Sequence, residues 1–196
     1  MKLRGNFSVR KLCLLIGIGL LAGALVTLAV WQWNINASQE KSHDYIQLLR
    51  ETMPNPVNAT LEERRDNSMP VLSVEGTDFV GIIEMPRYNL ALPVCAEWGQ
   101  SSETPCLFSG SIYNSTLQIG ATSQKGQFDF YREISVGDQI YFTDMEGNRY
   151  TLEVTELRYE DHIDQTALQK EDAAMALFVK NLYAFEYLVV YCNAVE

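Results

Sequence analysis

The sequence predicts a mainly β domain, a closed or nearly closed barrel with short helices, preceded by an N-terminal transmembrane helix. Three observations predict it. Residues 12–33 form one uncharged apolar run. From about residue 72, short apolar runs alternate with turn residues. Only one later stretch, 164–180, has helical spacing.

The apolar run LCLLIGIGLLAGALVTLAVWQW spans 22 positions, which as a helix is roughly 33 Å long, near the thickness of a bilayer core. Trp31 and Trp33 close it, where indoles favour the interface. Lys2, Arg4, Arg10 and Lys11 precede it, and the first charge after it is Glu40. The positive-inside rule then assigns 1–11 to the cytoplasm as a basic tail, 12–33 to the membrane as a single-pass anchor and the body to the outside. A cleaved signal peptide, with Ala37 near its cut, is the rival reading, but its apolar core is normally ~7–15 residues. Cys13 reads as a small lipid-facing residue.

Residues 34–71 are polar and acidic and contain Pro54, Pro56 and Pro70. They read as a stalk, in which Tyr45, Ile46, Leu48 and Leu49 line one face of a short helix over 44–53. The barrel domain is expected over 72–196. FVGIIEM (79–85), LALPV (90–94), CLFSGSIY (106–113) and LQIGA (117–121) read as strands. DQIYFTD (138–144), MEGN and RYTLEVTEL (149–157) read as a hairpin. Over 164–180, Thr166-x-x-Gln169 fits a capping box, and Ala173, Ala174, Leu177 and Phe178 fit a buried helix face. EYLVVYC (186–192) suits a buried strand.

Composition narrows the function. All four basic residues of 1–11 lie outside the body, and none of the 25 acidic residues does, so 12–196 carries a net charge of −14. Phosphate backbones would repel it, and no nucleic-acid partner is expected. The four cysteines form no CxxC and there are two histidines, so neither a metal nor a cofactor is expected. Cys192, ending a buried strand, is either a nucleophile or a small buried residue. Cys95 and Cys106 flank a loop, and two readings stand: a disulfide or two half-buried thiols. His162, in an acidic stretch with Asp161 and Asp164, reads as a solvated loop residue, and His43 has no assigned role.

The order VGIIEMPRYNLALPV (80–94), PCLFSGS (105–111), FYREISVGDQIYFTD (130–144), FTDMEGNRYTLEV (142–154) and YLVVYC (187–192), behind an N-terminal anchor, resembles the sortases, cysteine transpeptidases of Gram-positive cell surfaces. The likeness is strongest to class B-like members and covers roughly 72–192. It implies an eight-stranded barrel and a Cys, His and Arg site. In such enzymes the Cys attacks a sorting signal such as LPxTG or NPxTx. A peptidoglycan or pilin amine then resolves the thioester.

The resemblance carries three departures. Cys192 matches the nucleophile of the TLxTC motif, with Tyr191 in place of its Thr. The His position, in QIGATSQKGQF (118–128), falls on Thr122, or on Ala121 after a one-residue shift. Neither titrates near neutral pH. The family Arg opens a last strand several residues beyond the Cys, and only Asn193-Ala194-Val195-Glu196 follow here. Nothing in the sequence brings Arg132 or Arg158 in its place. The expectation is therefore an impaired sortase-type domain lacking its last strand, with an exposed edge open to a partner chain. The alternative is a non-catalytic extracellular peptide- or protein-binding adaptor.

Overall fold

A computed structural model describes residues 9–61, 67–101, 103–182 and 184–195. Most of the expected basic tail (1–8) and part of the expected stalk (62–66) lie outside the described residues. The chain divides into two compact units, Met1–Ala37 and Ser38–Glu196. A single helix, α1 (Val9–Thr52), contributes to both. In the first unit its stretch Lys11–Trp33 is long and apolar enough to cross a membrane, and none of it is buried. The helix covers the expected anchor 12–33 and nearly all of the short stretch expected over 44–53, and the residues between them are helical too.

The second unit is built on strands. After β1 (Val57–Asn58) and β2 (Leu72–Val74) come β3 (Thr77–Met85), β4 (Leu90–Cys95), β5 (Cys106–Ser109) and β6 (Leu117–Thr122). The hairpin β7 (Gln139–Asp144) and β8 (Asn148–Glu160) follows, then β9 (Met175–Lys180) and β10 (Tyr187–Ala194). Pairing runs β3–β4–β5–β6–β9–β10–β8–β7 and returns to β3, so eight strands close a barrel and β1 and β2 flank it. Ile83, Val94, Ile119, Phe142, Leu152, Leu177 and Val190 fill the interior.

The closed ring corrects two expectations. The eight-stranded ring closes without a further strand. β10 pairs antiparallel with β9 on one side and with β8 on the other, so the open edge expected there does not exist. Residues 164–180 do not form one helix. Asp164, rather than Thr166, caps the four-residue α2 (Gln165–Leu168) by accepting from the Ala167 N–H at 2.7 Å. The run after it becomes β9, parallel to β6. The reason is two-sided burial. Leu177 and Val179 face the barrel interior, while Ala176 and Phe178 pack outside with Leu168, Val189 and Tyr191. A strand covered on both faces is apolar at every position, which sequence spacing confuses with a buried helix.

The end of α1 lies on the barrel wall. Ile46 and Leu49 are buried among Phe79, Ile82, Cys95, Cys106 and Met145, and Arg50 pairs with Glu84 at 2.8 Å. At the β7–β8 turn, Asp144 accepts from the backbone of Glu146 (3.0 Å) and Asn148 (2.9 Å) and from the Tyr113 hydroxyl (2.7 Å). Gly147 takes the left-handed conformation there, at φ +84°.

Asp138, at the start of the same hairpin, accepts from the Tyr88 hydroxyl (2.6 Å) and the Ser135 N–H (2.9 Å), and pairs with Arg87. Burial opposes its ionisation, but the Tyr88, Ser135 and Arg87 hydrogen bonds outweigh it and hold the carboxyl below its usual range. A depressed folded pKa stabilises above the unfolded value of ~3.9 and loses that contribution as pH falls through the folded value. Asp138→Asn is expected to cost about 1–3 kcal/mol at neutral pH. Urea titrations of the full chain in detergent should show that gap shrinking as pH falls below ~4.

Candidate functional site

The two residues picked out by sequence do not meet. Cys192 is in register with Met175, and Thr122 with Lys180. Met175 and Lys180 are the two ends of β9, roughly 16 Å apart at strand rise. The residues also face opposite ways. Cys192 belongs to the interior core, as do Ala121 and Val179, so Thr122 and Lys180 point outward by alternation. Nor does Cys192 end the strand before the last; it lies inside the last strand, which runs on to Ala194.

Cys192 is 0% exposed, and burial pushes its thiol up. An attacking thiol needs the reverse shift and access to substrate. Arg158 does not supply a cation to it. Its guanidinium pairs with Glu156 at 2.7 Å and lies 5.4 Å from the Tyr191 ring, and Tyr191 belongs to the outer cluster. Arg132 bonds the Tyr131 hydroxyl at 2.9 Å. His162 and His43 are exposed. Among the described residues, no three His, Cys, Asp or Glu side chains are grouped to hold a metal.

Thr122 does lie at a cleft. A cavity of about 220 Å³ opens on the outer wall, bordered by Trp98, Cys106, Thr122, Gln127, Lys180 and Tyr187. A second, of about 660 Å³, lies between His162, Leu182, Phe185 and the same Lys180 and Tyr187. The two share that pair of residues, and we take them together as a groove across the end of β9 and the start of β10. In the resemblance the nucleophile ends the strand before the last and the Arg opens the last. Those places hold Lys180 and Tyr187 here.

The groove is held by local bonds. The Gln127 side chain accepts from the Thr122 N–H (3.1 Å) and hydroxyl (3.0 Å), which folds residues 123–127 over the strand end. The Ser123 hydroxyl accepts from the Leu182 N–H at 3.0 Å, and Asn181 donates to Glu186 at 3.0 Å. Rings line the wall: Trp98 sits 5.5 Å from Phe108 and 5.3 Å from Phe178, and Phe178 lies 6.2 Å from Tyr187. Gly120 makes room for them. A Cβ there would lie 2.0 Å from Trp98 Cζ3 and 2.5 Å from Phe178 Cζ.

Cys106 borders the groove, and its register partner across the β4–β5 seam is Cys95. Both are free thiols and buried. The Cys95 sulfur is 2.9 Å from the Thr104 hydroxyl. A hydrogen bond from Cys95 lowers the Cys106 thiol against the effect of burial, helped by the backbone amides of Ser101, Gly99 and Gln100. Cys95, as the donor in that pair and buried, is raised.

Sequence reading missed Trp98, Lys180 and Tyr187. The signal was the run MALFVK, a strand of its own rather than the end of a helix.

The barrel is similar to solved sortase structures. Sortase C-3 from Streptococcus pneumoniae matches with a TM-score of 0.53 and 16% identity, over 83% of this chain and 84% of that one. Sortase A from Corynebacterium diphtheriae matches at 0.52 and 15%, over 83% and 84%. Sortase C1 from Streptococcus agalactiae matches at 0.52 and 18%, over 63% and 71%. The chain therefore has the sortase fold. No family model matches it, and no curated protein does.

Gly120→Ala should force Trp98 off the wall and destabilise the domain by about 1–3 kcal/mol. Denaturant unfolding gives the cost, and loss of near-ultraviolet circular dichroism reports the displaced ring.

Proposed function

We propose that this chain is a membrane-tethered sortase-fold protein that binds an extended peptide outside the membrane and does not carry out transpeptidation through Cys192. The observation that carries this reading is the separation of Cys192 from Thr122, on opposite faces and at opposite ends of β9. Acyl transfer needs nucleophile and proton shuttle within hydrogen-bond reach of each other. A thiol sealed in the core offers no route to a carbonyl.

The groove suits binding. It is concave and aromatic, with Lys180 as its cation. Leu182 and Phe185 are exposed at its rim, and exposed apolar groups beside a cleft mark interaction surfaces. The ligand class we assign is the sorting-signal segment of a surface protein, in the manner of LPxTG or NPxTx. A peptidoglycan or pilin amine would be an acceptor only if acyl transfer occurred. The apolar helix Lys11–Trp33 supplies the tether.

The test uses the full chain in detergent micelles with fluorescent LPxTG- and NPxTx-type peptides. Binding without cleavage is expected, unchanged in Cys192→Ala and weakened at least about tenfold in Tyr187→Ala, since the loss of a buried aromatic contact costs ~2 kcal/mol or more. A vinyl-sulfone probe should leave Cys192 unlabelled from pH 5 to 9. A peptide thioester on Cys192, or cleavage lost in Cys192→Ala, would contradict the proposal.

A further inference from the structure

We propose that Cys95 and Cys106 form a thiol–disulfide exchange site, in which Cys106 attacks an external disulfide and Cys95 resolves the adduct into a bond across the β4–β5 seam. The proposal stands apart from peptide binding and rests on the geometry of the seam.

Cys95 and Cys106 form the one register pair by which β4 and β5 are joined. Neighbouring strands lie about 4.8 Å apart, inside the 4.4–6.8 Å Cα range that a disulfide spans. Both side chains lie in the same cluster on the outer wall, so their Cβ atoms leave the sheet on one side.

The two thiols are unequal, which fixes the order of events. Both thiols are buried, Cys95 at 0% and Cys106 at 2% exposed, and of the two it is Cys106 that borders the groove. Cys106 opens β5, and the backbone of residues 99–101, a turn in which Gly99 has φ +82°, lowers its thiol. Successive amides around one atom favour an anion, and the anion is the attacking form. As a thiol, Cys106 donates to the Ser101 carbonyl at 3.4 Å.

The oxidant is a disulfide, R–S–S–R, of a small thiol or of another protein. The Cys106 thiolate bonds to one sulfur and expels R–S⁻. Cys95 gives its proton to a departing thiolate and attacks the Cys106 sulfur, expelling the second R–S⁻. The cysteines lose two electrons and the external disulfide gains them. The product closes residues 96–105 into a covalent loop. Trp98 is on that loop, and Glu103 of the same loop pairs with Lys41 of α1 at 3.3 Å. Oxidation therefore pins the groove wall.

The full chain carrying Cys13→Ser, in detergent, is treated with oxidised glutathione at pH 7 and digested without reductant. The tryptic peptide 88–125 contains both cysteines and should lose two hydrogens, while Cys192 stays a thiol. The unfolding midpoint should rise by roughly 5–10 °C. In Cys95→Ser, glutathione should accumulate on Cys106, and in Cys106→Ser, Cys95 should be modified at least about tenfold more slowly. If either variant misfolds, the parent peptide mass decides. Retention of both thiols in the parent would overturn the proposal. So would modification of Cys95 in Cys106→Ser as fast as that of Cys106 in Cys95→Ser.

Discussion

The structure depends on the pairing of β10 with two neighbours at once. Tyr187–Cys192 pair with β9 along their length, and Tyr187–Ala194 pair with β8. Without that strand the ring would end on β8 and β9, with two rows of unpaired backbone groups. With it, every barrel strand has a partner on each side, and the interior fills with side chains such as Phe142 and Leu152. The same closure places the side chains at both ends of the strand. It turns Cys192 inward and leaves the start of β10, with Tyr187, at the mouth of the groove.

Much of the barrel is legible in the residues. Strands with one exposed face alternate, as DQIYFTD does, and the hairpin after it is announced by MEGN. The apolar run 12–33 is equally plain, because nothing but length and lack of charge defines it. The reading failed where burial is two-sided. Ala173–Val179 has no polar face to betray a period of two, so its small and apolar residues fit a helix. Taking that run as a helix removed a strand from the count. The final strand then appeared to be the one before it, and Cys192 appeared to stand at its end. One misread element thus accounts for both the expected open edge and the expected place of Cys192 at a strand end. LQIGA reads as a strand on its spacing, and β6 adds Thr122 to it, whereas Lys180, the register partner of Thr122, closes the misread run.

The groove shows how few residues set its shape. A glycine at 120 lets two rings lie on the sheet, and Gln127 ties down the turn beside Thr122. The opposite wall is a loop whose two ends are the adjacent cysteines of the β4–β5 seam. That seam has the least backbone pairing of the ring, so what joins Cys95 to Cys106 matters more there than at any longer ladder. The Cys106 thiol is lowered by Cys95 and the backbone of residues 99–101, whereas burial alone acts on Cys192 and raises it.

β10 is an inner strand of a closed barrel, with a neighbour on each side. Amide hydrogen exchange on the full chain in detergent tests it most directly, followed by mass spectrometry of peptides covering 186–195. The amides of 188–192 should exchange with the slowest class in the chain, through global unfolding. Exchange at the rate of a frayed edge, far faster than that of β9, would contradict it.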